Sequence, residues 1–288
     1  MGYIFKNINF MRRKFNLAFF IKMVVYLKYF PSIVFKIKNW FSFILNYIGI
    51  KDEGCTYIFR NGLKIKTKDG ISSGTIAVIF IKKDYGDDIE DNSVIIDIGA
   101  NIGVFSLFAG QSENTTIYAY EPMSDNYDLL KENIGLNKLE TNILPFNLAI
   151  GARSEKRKFY LGTSASHSFS PISESPFNAL YGDRVQEQKQ KFIEINCVSL
   201  KNVFDRNNIQ KCDILKMDCE GAEFEILYNL PEEYFKMIKK IRLEYHNHLS
   251  SKKNNVDYLI KFLKRMRYKV VKIKEPSNYQ GDLWLERE

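Results

Sequence analysis

The sequence predicts an α/β fold, with a mostly parallel sheet whose strands are connected by helices, preceded by a distinct N-terminal extension. Three observations support this prediction. Short apolar runs alternate with helical stretches from residue 94 onward, a turn with two glycines follows the first of these runs, and residues 1–50 differ from the rest in charge. Alternating strands and helices build parallel sheets because each parallel pair needs a long crossover connection.

The extension is basic and rich in aromatic residues. Residues 1–50 hold eight Lys or Arg and no acidic residue, and these eight charges equal the net charge of the whole chain, +8. They also hold 14 of the 41 aromatic residues, a mixture that suits an amphipathic helical segment at a membrane surface. An equally weighted alternative is packing on the core or on a second subunit. The longest uncharged stretch, 39–50, is twelve residues, well short of the roughly twenty that a transmembrane helix needs.

Residues 51–288 are predicted to form one domain that starts with a β-rich lead at 55–90. Two β-rich segments, 56–60 and 63–66, flank Asn61-Gly62, which predicts a hairpin, and a helical stretch follows at 76–82. The four cysteines lie without CxxC spacing, so neither a disulfide framework nor a zinc site is predicted. This cysteine usage fits a reduced, cytoplasmic compartment.

The remaining elements follow from the apolar periodicity. Strands are predicted at 94–98, 116–121 and 143–149, with helices at 103–110 and 124–136. Between residues 162 and 190 this pattern gives way to Ser, Pro and Asn. Loops of this length in a compact domain are typically lids or binding loops, or else disordered, so we interpret 162–190 as a substrate loop. His167 in this loop is a candidate substrate contact, although a lone loop histidine is more often simply solvated.

The turn after the first predicted strand is typical of a cofactor site. Asp97 precedes Gly99 and Gly103, which are separated by three residues, and glycine is needed where backbone bends sharply or approaches a ligand closely. The dinucleotide pattern GxGxxG is not present, and the arrangement resembles motif I of S-adenosylmethionine-dependent methyltransferases. Glu121 ends the next strand, where such folds place an acid that accepts from the ribose hydroxyls. The alternative is that Glu121 caps the helix after Pro122.

A second group of ionisable residues is predicted at two further strand ends. The strand ending at Met217 delivers Asp218 and Glu220 into a loop, and the strand 241–246 places Glu244 and His246 on one face. We therefore expect four ionisable groups to converge. Glu220 and Glu223 have an alternative role, as charges that complement a helix N-terminus. This alternative is favoured for Glu223 and equally weighted with the site role for Glu220.

The chain resembles the FkbM family of S-adenosylmethionine-dependent methyltransferases over most of residues 55–245. The matching segments are 59–62 with Tyr85, 96–103, 121–122, 147–151 and, most specific to the family, 215–223. This resemblance implies a seven-stranded Rossmann-like sheet with a final hairpin at 268–274 and 282–286, and methyl transfer to an oxygen, commonly a hydroxyl of a sugar or polyketide. It implies a cofactor site formed by Asp97, Gly99, Asn101, Gly103, Glu121 and Asn147.

The chemistry of methyl transfer suggests roles for the converging groups. A sugar hydroxyl is a very weak acid, so a general base is needed, and a histidine with a pKa of about 6.5 suits that role. We predict His246 as the base, with Glu244 or Asp218 orienting it. Alternatively, Asp218, Glu220, Glu244 and His246 hold a divalent cation that lowers the pKa of the hydroxyl. Catalysis without a metal is favoured, because carboxylate spacing alone is weak evidence for one.

Expected partners are a small-molecule or glycan substrate, such as a precursor in polysaccharide biosynthesis, and the inner face of a membrane through residues 1–50. A homo-oligomer is an alternative partner for that extension, and no nucleic acid is expected. Two other classes of enzyme remain open. A nicotinamide-dependent oxidoreductase would share the fold, and a nucleic-acid methyltransferase would explain the basic extension, although the chain has no Asn-Pro-Pro-Tyr or Asp-Pro-Pro-Tyr motif.

Overall fold

A computed structural model describes residues 28–70, 72–160, 191–247, 253–275, 277 and 279–288. The chain divides into two compact units, with the boundary between Asp84 and Tyr85.

The first unit combines helices with a short hairpin. The predicted hairpin is confirmed, since β1 pairs with β2 in antiparallel register and Gly62 between them has a φ of +99°. The helical stretch predicted at 76–82 begins earlier and ends in a π-helical segment. The elements are α1 (28–36 within the described residues), α2 (Trp40–Tyr47), β1 (Thr56–Ile58), β2 (Lys64–Lys66) and α3 (Ser72–Ile76), which continues as a π-helix (Ala77–Lys82).

The described part of the extension packs on this hairpin. Ile33, Ile37 and Phe43 are buried, and Ile37 forms an isolated β-bridge with Phe59. The Asn39 side chain donates to the carbonyl of residue 56 at 2.9 Å and accepts from the amide of residue 58 at 2.9 Å. The structure therefore groups residues 28–50 with the β-rich lead, and the compact unit ends at residue 84 rather than at the predicted boundary of residue 50.

The second unit is built on the predicted seven-stranded sheet. The strand order is β11-β12-β10-β9-β3-β4-β5, in which β5, β4, β3, β9 and β10 run parallel and the β11–β12 hairpin joins β10 in antiparallel register. The strands of this sheet are β3 (Val94–Ile98), β4 (Thr116–Tyr120), β5 (Ile143–Phe146), β9 (Cys212–Met217), β10 (Ile238–His246), β11 (Tyr268–Lys274) and β12 (Gln280–Arg287). The Rossmann-like α/β prediction is confirmed.

One predicted strand is two strands in the structure. The segment 143–149 divides into β5 and β6, and β6 leaves the main sheet to pair with β8. A small second sheet results, with the order β6-β8-β7. Its strands are β6 (Ala149–Gly151), β7 (Glu155–Tyr160) and β8 (Phe192–Ser199).

The helices of the second unit begin near the predicted positions. The predicted helices at 103–110 and 124–136 correspond to α4 and α5. Ser199 and Asn255 cap α6 and α9, since their side chains accept from Asn202 N and Tyr258 N. The helices are α4 (Val104–Ala109), α5 (Ser124–Leu136), α6 (Leu200–Arg206), α7 (Glu223–Tyr228), α8 (Glu232–Phe235) and α9 (Val256–Arg265).

The two faces of the sheet differ in chemistry. On one face, apolar residues of β3, β9 and β10 pack with α6, α7 and α9 in one core. On the other face, Asp97, Lys216, Arg242 and Trp284 are neighbours in register on β3, β9, β10 and β12. The carboxyl ends of β3, β9 and β10 are therefore adjacent, and charged side chains lead towards them.

Within the described residues, no helix has both the length and the apolar character needed to cross a bilayer.

Candidate active site

The turn after β3 has the backbone geometry expected of a cofactor turn. Gly99 has a φ of +76° and Gly103 a φ of +90°, a region that residues with a Cβ rarely adopt. The amide of Gly99 donates to the carbonyl of Tyr120 at 3.0 Å. A Cβ on Gly99 would lie 1.8 Å from the carbonyl oxygen of Asp218, and one on Gly103 would lie 2.5 Å from a Leu130 methyl carbon. Close packing against backbone and a positive φ both require glycine at position 99. At position 103 the requirement is mainly the φ, since the Leu130 methyl belongs to a flexible side chain.

The carboxylate of Asp97 lies beneath this turn. It is wholly buried, its Oδ2 accepts from the Ser106 hydroxyl at 2.7 Å, and its Oδ1 is 3.0 Å from Lys216 Nζ. Lys216 also donates to the carbonyl of Gly99 at 2.9 Å. Since the carboxylate is completely buried and engaged by Ser106 and Lys216, Asp97 supports the turn from within. Its predicted cofactor contact stays a prediction.

Lys216 was not predicted as a site residue. Burial lowers the pKa of its ammonium group, but the charges of Asp97 and Asp218 raise that pKa above its usual value overall, so the group stays charged. Lys216 and Asp97 are paired in the parallel register of β9 and β3. A lysine between the apolar residues Leu215 and Met217 was the available sequence signal.

Glu121 joins the end of β4 to the turn. Its Oε2 accepts from the amide of Asn101 at 2.8 Å, and its Oε1 accepts from the amide of Met123 at 2.9 Å and from the Asn126 side chain at 3.4 Å. Burial raises the pKa of this carboxyl, and the amide hydrogen bonds offset part of that rise. The helix-cap interpretation is thus realised at Met123, the N-cap of α5. Each carboxylate oxygen has two lone pairs, so a ribose contact is compatible and stays a prediction.

Asn101 and Asn147 hold backbone around Glu121. Asn101 has a φ of +52°, which asparagine tolerates better than most residues, and its Oδ1 accepts from the amide of Ile102 at 2.8 Å. The Asn147 side chain donates to the carbonyls of Glu121 and Pro122 at 3.0 and 3.1 Å. Their cofactor contacts also stay predictions.

The four predicted catalytic residues converge at the ends of β9 and β10. Asp218, Glu220 and His246 each offer one ligand atom, and these atoms lie within 4.8 Å of one another. His246 Nε2 is 3.6 Å from Glu220 Oε2 and 3.9 Å from Glu244 Oε1. We call Asp218, Glu220, Glu244 and His246 the carboxylate–histidine cluster.

Glu223, rather than Glu244 or Asp218, orients His246. Glu223 Oε1 lies 3.1 Å from His246 Nδ1, and both side chains are buried. The same oxygen accepts from the amides of Cys219 and Gly221 at 3.2 Å each. Glu223 is the first residue of α7, as the helix N-terminus interpretation requires, but its carboxylate turns inward. It fixes both the imidazole and the loop that carries Glu220, a role that depends on contact with β10 and was not predicted.

The surroundings of His246 change its proton affinity. Burial alone would lower the pKa of His246, but the charge and hydrogen bond of Glu223, together with the charges of Glu220 and Glu244, raise that pKa to about 10. The predicted neutral imidazole is therefore not the form that this arrangement stabilises. Burial also raises the pKa of Glu220 to about 7 and that of Glu244 to about 8. The carboxylates are therefore better matched than the imidazole to accept a proton near neutral pH.

Tyr85 contacts both Asp218 of the cluster and Lys216, which supports the turn. Its hydroxyl donates to Asp218 Oδ2 at 3.3 Å, and Lys216 Nζ lies 5.5 Å from the centre of its ring. Burial, followed by the charge of Asp218, raises the pKa of Tyr85, so the phenol keeps its proton. The sequence indicated Tyr85 only through the family resemblance.

The substrate loop 162–190 with His167 and most of the N-terminal extension lie outside the described residues. Their predicted roles stay predictions.

Comparison with known proteins adds independent evidence. Residues 97–270 match the family model of the methyltransferase FkbM domain. The chain is 26% identical over 177 residues to methyltransferase sdnD of Sordaria araneosa, covering 54% of this chain and 67% of that protein. It is 23% identical over 179 residues to the 31-O-demethyl-FK506 methyltransferase FkbM of Streptomyces tacrolimicus, covering 57% and 69%. It is 25% identical over 141 residues to the hexuronic acid methyltransferase AglP of Haloferax volcanii, covering 49% and 51%. The chain thus spans about half to two thirds of the length of these relatives.

Proposed function

Since the FkbM domain match covers more than half of its 288 residues, the chain belongs to the FkbM methyltransferase family, and we propose that it methylates a hydroxyl of a sugar or related metabolite. The methyl donor of this family is S-adenosylmethionine, so the predicted cofactor is confirmed. When bound, the cofactor supplies an electrophilic methyl group on a sulfonium.

The residues of the turn fit this cofactor. The turn brings Gly99 against the backbone of Asp218 and links Asn101 to Oε2 of the Glu121 carboxylate. This oxygen keeps one lone pair for a ribose hydroxyl. Gly99, Asn101 and Gly103 would hold the adenosine end, with Glu121 at the ribose.

One observation carries the proposed reaction: Asp218 belongs to both regions. Its backbone carbonyl packs on the cofactor turn at Gly99, and its side chain lies in the carboxylate–histidine cluster. An acceptor bound at the cluster would therefore lie beside the cofactor turn. Methyl transfer is an in-line displacement whose rate depends on holding the acceptor oxygen about 3 Å from the methyl carbon.

A hydroxyl acceptor explains the excess of acids in the cluster. As the hydroxyl oxygen attacks, its proton passes to a cluster carboxylate, while the buried Glu223–His246 pair holds the loop and strand end in place. Two relatives support this proposal by name, since one is a 31-O-demethyl-FK506 methyltransferase and the other a hexuronic acid methyltransferase.

A labelling experiment tests this proposal. The full chain is incubated with S-adenosylmethionine carrying a tritiated methyl group and with a panel of hexose and hexuronate glycans. We expect label in a glycan, in an ether that resists alkali. Glu244→Gln removes a carboxylate able to accept the proton, so we expect a loss of about 10² to 10⁴ in rate with S-adenosylhomocysteine binding kept. Label released by alkali would indicate a carboxylate acceptor, and label in RNA or protein would indicate another substrate class. Either result would contradict the proposal.

The extension is proposed to bind the inner surface of an anionic membrane. Phe35 and Phe41 are 77% and 62% exposed, in a segment without one acidic residue. Aromatic side chains and basic charges together favour the headgroup boundary. Deleting residues 1–50 is an unsuitable test, because it would also remove the buried Ile37 and Phe43 from the hairpin.

Point substitutions give a cleaner test. We expect Phe35→Ser with Phe41→Ser to reduce sedimentation with phosphatidylserine vesicles at least fivefold, without lowering the melting temperature. Val271→Ser, at a half-exposed position on β11, serves as the control. Equal sedimentation of all three proteins would contradict the membrane proposal, as would concentration-dependent dimerisation that the double substitution abolishes.

A further inference from the structure

The carboxylate–histidine cluster has the donor geometry of a cation site. Ligand atoms of Asp218, Glu220 and His246 lie within 4.8 Å of one another, and Glu220 Oε2 is 3.6 Å from His246 Nε2. A small divalent cation with bonds of about 2.1 Å places adjacent ligands about 3.0 Å apart and opposite ligands about 4.2 Å apart. The observed separation lies between these two values, so small side-chain rotations would complete coordination.

The imidazole provides a second, independent observation. His246 is more than nine-tenths buried, its Nδ1 is engaged by the wholly buried Glu223, and its Nε2 makes no hydrogen bond within 3.5 Å among the described residues. Nε2 instead faces the oxygens of Glu220 and Glu244 at 3.6 and 3.9 Å. A carboxylate on one ring nitrogen that directs the other towards a metal is the usual support of a histidine ligand. Glu223 thus fixes the ring with Nε2 directed into the cluster.

The negative charges of the cluster also favour a bound cation. Asp218, Glu220 and Glu244 surround Nε2, and Asp282 pairs with Glu244 in the register of β12 and β10. Lys216 contacts Asp97 rather than these oxygens. Like charges this close repel one another, and a dication would offset that repulsion.

We propose that Asp218, Glu220 and His246 bind one divalent cation of the Mg²⁺ or Mn²⁺ class, with Glu244 beside it. Two carboxylates and one imidazole suit such cations, which keep water molecules or a substrate oxygen on their remaining positions. Because a metal binds the neutral imidazole, the cation takes the position of the Nε2 proton. This cation site is the alternative that the sequence left open, and catalysis without a metal stays the competing prediction.

The role of the cation rests on the proposed function. An acceptor hydroxyl that replaces one bound water becomes more acidic, because the cation stabilises the alkoxide. Glu244, which is not needed as a ligand, then lies close enough to take the proton.

Metal binding is tested without substrate or methyl transfer. Mn²⁺ is titrated into the metal-free full chain, and free Mn²⁺ is followed by electron paramagnetic resonance. We expect one Mn²⁺ per chain, displaced by excess Mg²⁺, and at least tenfold weaker binding by Asp218→Asn and by Glu220→Gln. Glu233→Gln, the same chemical change at an exposed position of α8, should bind as the unmodified chain does.

Glu223→Gln tests whether a loss of Mn²⁺ binding comes from the metal site or from a disturbed fold. It keeps an oxygen near His246 Nδ1 but removes the charge, so we expect about tenfold weaker Mn²⁺ binding with unchanged S-adenosylhomocysteine affinity. Absence of Mn²⁺ binding by the full chain, or equal binding by the Asp218, Glu220 and Glu233 variants, would overturn the cation site. A failure to methylate any hydroxyl with Mn²⁺ binding intact would overturn the proposed function instead.

Discussion

The cofactor turn and the carboxylate–histidine cluster meet at Asp218 but differ in how their carboxylates are partnered. In the turn, Asp97 is balanced by Lys216 and Ser106, and Glu121 accepts from two backbone amides. In the cluster, one imidazole faces several carboxylates. The carboxylates of the turn therefore have partners within the protein, whereas the cluster has an excess of negative charge. This difference indicates that the turn provides shape and the cluster provides reactivity.

The largest loss of stability is expected when the positive charge that pairs with Asp97 is removed. Lys216→Met leaves the wholly buried Asp97 without its counter-charge, and breaking a buried pair on one side costs about 3 to 5 kcal/mol. We expect that loss in the free energy of unfolding, measured by urea denaturation.

Lys239→Met is the matched control, because Lys239 pairs with Glu90 in solvent, where removing an ion pair should leave the urea midpoint nearly unchanged. Equal losses for the two lysines would show that the turn does not depend on the buried pair.

The next prediction compares two glycines with positive φ, of which only one is closely packed. Gly99→Ala must accommodate a Cβ 1.8 Å from a carbonyl oxygen, and we expect about 3 kcal/mol of destabilisation together with lost S-adenosylhomocysteine binding. Gly62 also has a positive φ, but no atom lies within 4 Å of an added Cβ. Gly62→Ala should therefore cost only about 1 kcal/mol. If thermal melting finds both variants equally affected, φ alone explains the glycines.

A smaller effect is expected at the cofactor's ribose. Glu121→Gln keeps a side-chain acceptor for the Asn101 amide but loses the charge, and charge-assisted hydrogen bonds contribute about 1 to 3 kcal/mol. Calorimetry should show S-adenosylhomocysteine affinity lowered by that amount, with Glu113→Gln, at an exposed position, unchanged. Unaltered affinity would limit Glu121 to capping α5.

Local patterns predicted the turn well, because its geometry is encoded by neighbouring residues. Gly99 and Gly103 have the positive φ that their spacing indicates, and β3 and α5 have the predicted bounds. The break between β5 and β6 was missed because it depends on pairing with β8, about fifty residues later. The grouping of residues 28–50 with the hairpin was not predicted, because burial of Ile37 against the hairpin cannot be read from charge.

The cluster was predicted in membership but not in electrostatics. Strand ends and the alternation of β10 were enough to bring His246 near Asp218 and Glu220. The contact between Glu223 and His246 joins the start of α7 to the end of β10, and only the folded chain sets it. The pKa of an isolated histidine therefore differs from that of His246, which the neighbouring carboxylates raise.

The most direct test of the division between turn and cluster is the S-adenosylhomocysteine affinity of the full chain carrying both Glu220→Gln and Glu244→Gln. Both side chains belong to the cluster and neither contacts the described residues of the turn in a hydrogen bond or ion pair. We predict a dissociation constant within about twofold of the unmodified chain by calorimetry. A loss of tenfold or more would contradict the account, because the cluster would then be part of the cofactor site.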